Sequence, residues 1–291
     1  MSKLLVNKDK MSYLLRDLTM QVLIYSAIVC VSGVFLWILF DLIRGGSALL
    51  SWQFLTDVPR DAGRAGGISS ILASTLLVLL IALLAALPIS WATAILLTEF
   101  ISAESPFGRW VRYSLQVLAC VPSIIFGLFG YAFFSLYLGL GFSILSGGLT
   151  LACMLLPILV STAEAGLRAV PESYRLSAVA LGMSRAATLF HVLLPVAAPA
   201  WAAGLLLGIG RAAAETAALM FTSGYVDRMP ESLLDSGRVL ALHIFDLSMN
   251  VPGGDASAYA SALVLILLLL VINLVAMRFT YLWQRKKLNT E

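Results

Sequence analysis

Two ionisable residues, Arg211 and Glu215, interrupt a long apolar stretch of the chain. An ionised side chain inside a bilayer costs at least about 2.5–3.5 kcal/mol, whereas an ion pair spaced i, i+4 on a helix returns only about 0.2–0.5 kcal/mol. Stability alone therefore does not explain the two charges. The planar guanidinium of Arg211 suits a tetrahedral oxyanion, because it donates several hydrogen bonds in fixed directions. Glu215 would share its helix face and hold it while no anion is bound; the alternative is a structural ion pair buried against another helix.

A second pair with the same spacing, Glu164 and Arg168, closes an earlier apolar block. Charges at such a boundary are commonly interfacial, and that is one interpretation of this pair. The other places both side chains on the route of a transported solute. We keep them as candidate pathway residues.

A connection of about 35 residues follows that block, and its middle predicts a helix, a glycine break and a second helix. Ala178 and Leu181 fall on one face of the first helix, which Gly182 ends or bends. Ser184 begins the second helix, which runs up to Pro195. Apolar residues on an exposed helix predict a surface that docks into the groove of a partner. The alternative is an amphipathic helix resting on the membrane.

The elements that position these residues are membrane helices. The chain has 291 residues, of which 60% are apolar and only 12% charged, whereas a soluble domain carries about 25% charged residues. Backbone groups in hydrocarbon must be paired internally, so apolar blocks of about 20 residues are helices. We predict an all-α integral membrane protein with six transmembrane helices, at about 20–40, 71–97, 114–138, 149–161, 200–221 and 258–277.

Local sequence within these blocks indicates breaks and close packing. Pro122 lies inside the third block, and Pro157 interrupts the short fourth block. Small residues recur in the second and fifth blocks, which predicts helices inside a bundle, because small side chains let helices approach closely in lipid. The alternative is an alanine-rich helix that faces lipid.

The distribution of Lys and Arg predicts the orientation, because these residues favour the cytoplasmic side. With both termini cytoplasmic, thirteen of them lie inside and five outside. We therefore predict a cytoplasmic segment at 1–19, a first transmembrane helix at 20–43, a transmembrane domain at 60–282 and a cytoplasmic tail at 283–291. The transmembrane domain includes the inner loop 170–199 and an acidic outer loop 222–257. In the outer loop, a short amphipathic helix is indicated by Leu233, Leu234, Leu240, Ile244, Phe245 and Leu247.

The inner loop resembles the coupling loop of importer-type ABC permeases, which inserts into a cleft of the ATP-hydrolysing subunit. Gly182 and the Leu-Pro sequence ending at Pro195 match the family pattern, while Leu176 and Ser177 stand where the family has Glu and Ala. The resemblance implies a type I ABC importer permease architecture. It also implies that the coupling contacts are made by Leu176, Ser177, Ala178, Leu181, Gly182 and Pro195.

A narrower resemblance is to the A-type permease of phosphate ABC importers, over roughly residues 60–280. It rests on Arg-x-x-x-Glu-Thr at 211–216 and on the stretches 66–68 (GGI), 121–130 (VPSIIFGLFG) and 164–171 (EAGLRAVP). Ala214 stands where the family often has Gly. The resemblance adds Thr216 to the candidate pathway residues Arg211, Glu215, Arg168 and Glu164.

The same resemblance implies partners and a location. The partners are a homologous second permease, two ATP-binding subunits and an external phosphate-binding protein that delivers phosphate. The location is the bacterial inner membrane. Two other solutes or mechanisms stay open: a related oxyanion such as sulfate, molybdate or phosphonate, and a gradient-driven secondary anion carrier.

Other functional classes are not supported by the sequence. It contains no GxxxxGK[ST] phosphate loop, so we expect no ATP hydrolysis by this chain, no catalytic residues and no cofactor. His191 and His243 are predicted on opposite sides of the membrane, and Cys30, Cys120 and Cys153 fit no metal spacing. We expect the cysteines to be small buried hydrophobic residues. The net charge of +3 gives no indication of a nucleic-acid partner.

Overall fold

The computed structural model describes residues 2–102 and 104–288, with side chains at 13, 16–102 and 104–278. Among these residues, five helices are long and apolar enough to cross a membrane, at Arg16–Gly46, Ser69–Phe100, Ile144–Arg168, Arg185–Ala213 and Asp255–Arg278. A sixth crossing is formed if one bent pair of helices counts as a single span. The predicted all-α membrane architecture is confirmed.

The chain-order bounds of the elements show where these spans begin and end. Short π-helical segments at Leu96–Phe100, Tyr131–Tyr137 and Leu189–Leu193 continue or join the α-helices. The elements are α1 Ser2–Gly46, α2 Trp52–Thr56, β1 Pro59–Arg60, β2 Ala65–Gly66, α3 Ser69–Ile95, α4 Pro106–Cys120, α5 Ser123–Gly130, α6 Ile144–Arg168, α7 Glu172–Ala180, α8 Arg185–Thr188, α9 Leu194–Ala213, α10 Ala217–Met220, α11 Leu240–Met249 and α12 Asp255–Leu288. The two strands form one antiparallel hairpin.

The third predicted span is bent, which corrects the expectation of one helix over 114–138. Its two parts, α4 and α5, meet at an angle of 101° across the break between Cys120 and Ser123. Pro122 lies in that break and has no backbone N–H to continue a helix. The bend turns α4 away from the direction of α5.

The centre of the bundle is the contact between α3 and α6. Val78 and Ala82 of α3 are buried, as are Leu151 and Leu155 of α6. Gly148 permits the closest approach, because an added Cβ would lie 2.5 Å from a methyl carbon of Ile81. Small residues at the contact are the usual means by which helices associate in lipid.

The fourth predicted span is longer than its apolar block. α6 begins at Ile144, where the Ser143 hydroxyl accepts a hydrogen bond from the Ser146 backbone N–H at 3.1 Å. It continues through Pro157 to Arg168 without a break. The expectation of a short, interrupted helix over 149–161 is therefore wrong, and Glu164 and Arg168 both lie within α6.

The first span makes little contact with the rest of the chain. None of the most apolar part of Arg16–Gly46 is buried. Contacts concentrate at its end, where Gly45 and Gly46 lie against Tyr259 of α12 and the Tyr259 hydroxyl donates to Asp41 at 3.1 Å. α1 is continuous through the predicted boundary at residue 19. Residues 1 and 289–291, at the ends of the two predicted cytoplasmic segments, lie outside the described residues, and the predicted regions remain predictions.

The outer loop is mostly irregular, with a helix only over α11. Leu233 and Leu234 lie in the irregular part, so the expectation that they belong to an amphipathic helix is wrong. The backbone carbonyls of Leu233 and Asp235 each accept a hydrogen bond at 2.9 Å from the backbone at the start of α6. These carbonyls satisfy N–H groups that the first turn of a helix leaves unpaired.

Candidate functional site

The inner loop folds as the predicted helix, glycine break and helix. α7 ends at Ala180, and Gly182 follows in the left-handed region with φ +70°. The Ser184 hydroxyl then caps α8 by accepting from the Ala187 backbone N–H at 3.2 Å. Pro195 lies at the start of α9, just after the π-helical turn that joins it to α8.

One face of α7 is turned to solvent and the other is packed. Leu176, Val179 and Leu181 are exposed, Leu181 to 80%, while Ala178 is buried. Ser177 is also exposed. The loop thus presents large apolar side chains without covering them, which is the property of a docking surface.

Arg175 fastens the packed face of α7 to the end of α3. Its Nη2 donates to Glu99 Oε1 at 2.8 Å and to the Leu167 carbonyl at 3.2 Å, and its Nη1 donates to the Val170 carbonyl at 3.1 Å. The hydrogen bond to Glu99 raises the pKa of Arg175 above its ordinary value. Sequence reasoning missed this pair, because 76 residues separate its members.

Arg211 lies in the last turn of α9 and borders a cavity of about 280 Å³. Among the described residues its guanidinium has no hydrogen bond and no ion pair. The cavity lies at the mid-height of the helix bundle, because its α6 residues come from the central turns of that helix and its α4 and α5 residues lie beside the bend. The lining consists of Leu118, Ala119, Phe126, Met154, Pro157, Ile158, Ser161 and Arg211.

The expected pairing of Arg211 with Glu215 is wrong. α9 ends at Ala213, so the two residues do not continue along one helix face. Glu215 instead accepts a hydrogen bond at Oε1 from the Ala218 backbone N–H at 3.1 Å, which satisfies the start of α10. Thr216 lies between the two helices. The structure therefore separates the predicted pair and leaves the arginine available to another anion.

Glu164 and Arg168 do pair, in a larger cluster than the sequence indicates. Glu164 Oε1 accepts from Arg112 Nε at 2.8 Å and from Arg168 Nε at 3.0 Å. Both arginines also donate through Nη2 to the Leu97 carbonyl, at 3.2 and 3.4 Å. Arg112 was missed because it lies 52 residues before Glu164. Its contact joins the middle of α4 to the C-terminal ends of α3 and α6.

The remaining titratable groups form no metal site in the part of the chain that the structure describes. Cys30 and Cys120 are exposed on the chain, so the expectation of burial is wrong for both of them. His243 is fully buried in α11. Its pKa is lowered to about 4, first by burial and then by the positive charge of Arg238.

Comparisons with known proteins agree with this fold. Residues 92–289 match the family described as the binding-protein-dependent transport system inner membrane component. The chain aligns with the methionine ABC transporter MetNI, described in inward-facing conformations, with a TM-score of 0.58 at 17% identity. That match covers 75% of this chain and 94% of the other. These helices define the class of type I ABC importer permeases.

Relatives of similar length place the chain more narrowly. The probable ABC transporter permease YqgI of Bacillus subtilis is 30% identical over 81% of this chain and 85% of its own. The phosphate transport system permease PstA of Mycobacterium leprae is 33% identical over 76% and 73%. PstA 2 of Mycobacterium bovis is 30% identical over 86% and 83%.

This chain belongs to the binding-protein-dependent transport permease family. It is a multi-pass membrane permease subunit of an ABC importer, and its resemblance to PstA-type permeases is confirmed. Membership in that family implies ATPase and substrate-binding partners and an inner-membrane location. It also sets aside the gradient-driven carrier.

Proposed function

We propose that this chain is one of two permease subunits through which an ATP-driven importer moves inorganic phosphate into the cytoplasm. The observation that carries the proposal is the Arg211 guanidinium, which borders a mid-height cavity without a carboxylate partner among the described residues. The Arg211 side chain is exposed on the described chain. Once the bilayer and a partner subunit surround it, an unpaired guanidinium would be costly, so we expect an anion from elsewhere to pair with it. The PstA names of several relatives support phosphate as that anion.

The charge of phosphate requires a second source of positive charge besides Arg211. Phosphate is mostly dianionic at pH 7, and one guanidinium neutralises only half of that charge. The homologous second permease supplies at least one more cation at the same depth. Glu215, Thr216, Glu164 and Arg168 are the further pathway residues of this proposal, with Glu164 and Arg168 on the inner side of the cavity.

The exposed face of the inner loop is the contact with the ATPase. Two ATPase subunits bind the two permeases, one on each coupling loop, and ATP binding draws the loops together. The permeases then rock about the Arg211 site from inward-open to outward-open. On this chain the coupling residues are Leu176, Ser177, Ala178, Leu181, Gly182 and Pro195. Leu176, Val179 and Leu181 supply the exposed apolar side chains, and the buried Ala178 packs the loop behind them.

The proposed orientation places both termini in the cytoplasm of a bacterial cell. An external phosphate-binding protein then delivers the anion to the outer loop. A tag at either terminus should be protected from protease added to intact cells, and cleavage of either tag would overturn this topology. Lys3, Lys8 and Lys10 support this orientation, but they are among the residues whose side chains the structure does not describe.

The first test of partners is purification of the tagged chain from its own membranes in mild detergent. We expect an ATPase and a second six-helix permease to copurify. A lone chain that persists under gentler extraction would contradict the heterodimeric assembly.

The test of the solute is uptake by the purified assembly in proteoliposomes supplied with ATP and the binding protein. Phosphate uptake should exceed that of sulfate, molybdate and phosphonate. Faster uptake of any of these would replace phosphate by that oxyanion, because a single guanidinium recognises all of them by the same hydrogen bonds.

A further inference from the structure

The coupling-loop end of α6 carries an unbalanced charge cluster. Arg112 and Arg168 both contact one oxygen of Glu164, at 2.8 and 2.9 Å. Among the described residues, no other carboxylate pairs with either arginine. The cluster therefore holds two positive charges against one negative charge, in a place where Glu164 is only 12% exposed.

The two guanidiniums are held in place independently of Glu164. Each also donates to the Leu97 carbonyl, which the π-helical turn at the end of α3 presents to them. A carbonyl positions the guanidiniums but does not neutralise them. Two fixed arginines that converge on one oxygen form the geometry in which proteins hold an oxyanion.

The cluster lies on the same helix faces as the Arg211 cavity. On α6, Ser161 lines the cavity, and Glu164 and Arg168 follow three and seven residues later. On α4, Ala119 lines the cavity and Arg112 precedes it by seven residues. Seven residues are two helical turns, or about 10 Å along the axis. Both walls thus lead from the cavity to the cluster.

We propose that Arg112 and Arg168 form a second anion station on the solute pathway, in which the Glu164 carboxylate holds the place of the transported oxyanion. The anion displaces Glu164 when it arrives from the cavity, and Glu164 returns when the anion leaves. A dianion neutralises both guanidiniums, which a single carboxylate does not. The inference rests on the proposed function, since it takes the solute to be an oxyanion.

A phosphate group could reach this station as a free ion or as a lipid headgroup, and the chemistry of recognition is the same. Arg168, whose side chain is 44% exposed, offers access to either source. The test must therefore vary the lipid as well as the protein.

The test is calorimetric titration of inorganic phosphate into the assembly of the full chain with its copurified partners, in phosphatidylcholine nanodiscs. Glu164→Gln removes the competing carboxylate, so phosphate should bind at this station at least tenfold more tightly than in wild type. The titration should then resolve one additional phosphate site per chain. Arg168→Gln in the same background should remove that site. The matched control is Glu99→Gln, a carboxylate 19% exposed that pairs with Arg175 alone in this region and should create no new site.

Three results would overturn the station: no gain of phosphate binding in a Glu164→Gln assembly of unchanged melting temperature, a gained site that survives Arg168→Gln, or a gained site that anionic phosphatidylglycerol in the nanodisc abolishes. The last result would assign the station to a lipid headgroup. The gained site should persist in the double variant with Arg211→Gln. Wild-type phosphate uptake reports separately on the proposed function, so the two failures are distinguishable.

If Glu164→Gln does not assemble, Arg168→Gln alone provides the test, because it leaves Glu164 paired one-to-one with Arg112. The maximal rate of phosphate uptake by that variant should fall severalfold. The concentration of binding protein that gives half of this rate should be unchanged. Unchanged uptake by an intact Arg168→Gln assembly would overturn the proposal.

Discussion

Arginines in two regions of the chain meet opposite surroundings. At mid-height, Arg211 borders a cavity and has no ion pair among the described residues. At the coupling-loop end, Arg112 and Arg168 share one oxygen of Glu164 and the carbonyl of Leu97. The first region lacks an anion that it needs, whereas the second carries its own anion. The difference indicates that the mid-height site takes its whole counter-charge from a ligand, while the coupling-loop end already holds part of its counter-charge.

The strongest test of this comparison is Arg211→Gln. Transport should fall by about 100-fold, because the proposed contact between the guanidinium and the bound anion is lost, at a cost of about 3 kcal/mol. Assembly should be unaffected, since the side chain has no partner within the described chain. Uptake and copurification of the ATPase measure the two effects. Arg109→Gln is the control, because Arg109 is also exposed but does not border the cavity. Near-normal uptake by Arg211→Gln, or an equal loss in Arg168→Gln, would break the comparison.

A smaller effect is expected where the coupling loop is fastened to α3. Glu99→Gln removes the 2.8 Å ion pair with Arg175, whose side chains are 19% and 21% exposed. Phosphate moved per ATP hydrolysed should fall about tenfold, the effect of about 1.4 kcal/mol, with hydrolysis retained. Glu172→Gln is the matched control, because that carboxylate lies 3.6 Å from the same arginine but is 72% exposed. Equal ratios in the two variants would contradict a coupling role for Glu99.

A backbone change in the coupling loop should act more weakly still. Gly182 has φ +70° and open space around it, so Gly182→Val costs about 1–3 kcal/mol of backbone strain without a clash. ATPase copurification should fall severalfold. Gly33→Val, at a helical position with open space, adds the same side chain without positive φ. Full ATPase recovery with Gly182→Val would argue against the loop as the contact.

The least effect on transport is expected at the outer loop. His243 has a pKa lowered to about 4 from 6.5, so the unfolded chain binds more protons than the folded chain between these values. Stability therefore rises with pH across this window and is lost as pH falls through it, by about 3 kcal/mol in total. Thermal unfolding at pH 7 and pH 5 should show this dependence, and His243→Gln should remove it without altering uptake at pH 7. An undiminished pH dependence in His243→Gln would assign the effect to another group.

Composition and block length predict the membrane class and the number of apolar segments, because a bilayer imposes helix and length. They do not predict where helices end. Alanines at 212–214 favour helix in isolation, yet α9 stops at Ala213, and Glu215 bonds to the start of α10. Leu233 has helical spacing but supplies its carbonyl to the start of α6. The first outcome involves a local hydrogen bond between residues three apart, whereas the second is decided by a tertiary hydrogen bond.

The candidate site was predicted in part. Arg211, Glu164 and the glycine break at Gly182 are visible in the sequence, because each contradicts its surroundings or matches a helix signal. Arg112 and Glu99 are not visible, since their partners lie 52 and 76 residues away. The only local signal for Arg112 and for Glu99 was a charged residue close to the end of a predicted helix.

The 101° bend between α4 and α5 makes α4 a lever. Arg112 lies about 12 Å along α4 from the end of that helix at Cys120, taking 1.5 Å per residue. A rotation of α4 by about 10° about that end would displace Arg112 by about 2 Å, which is enough to lengthen its 2.8 Å contact with Glu164 beyond hydrogen-bond distance. A small rotation beside the Arg211 cavity is thus enough to open the ion cluster two turns away.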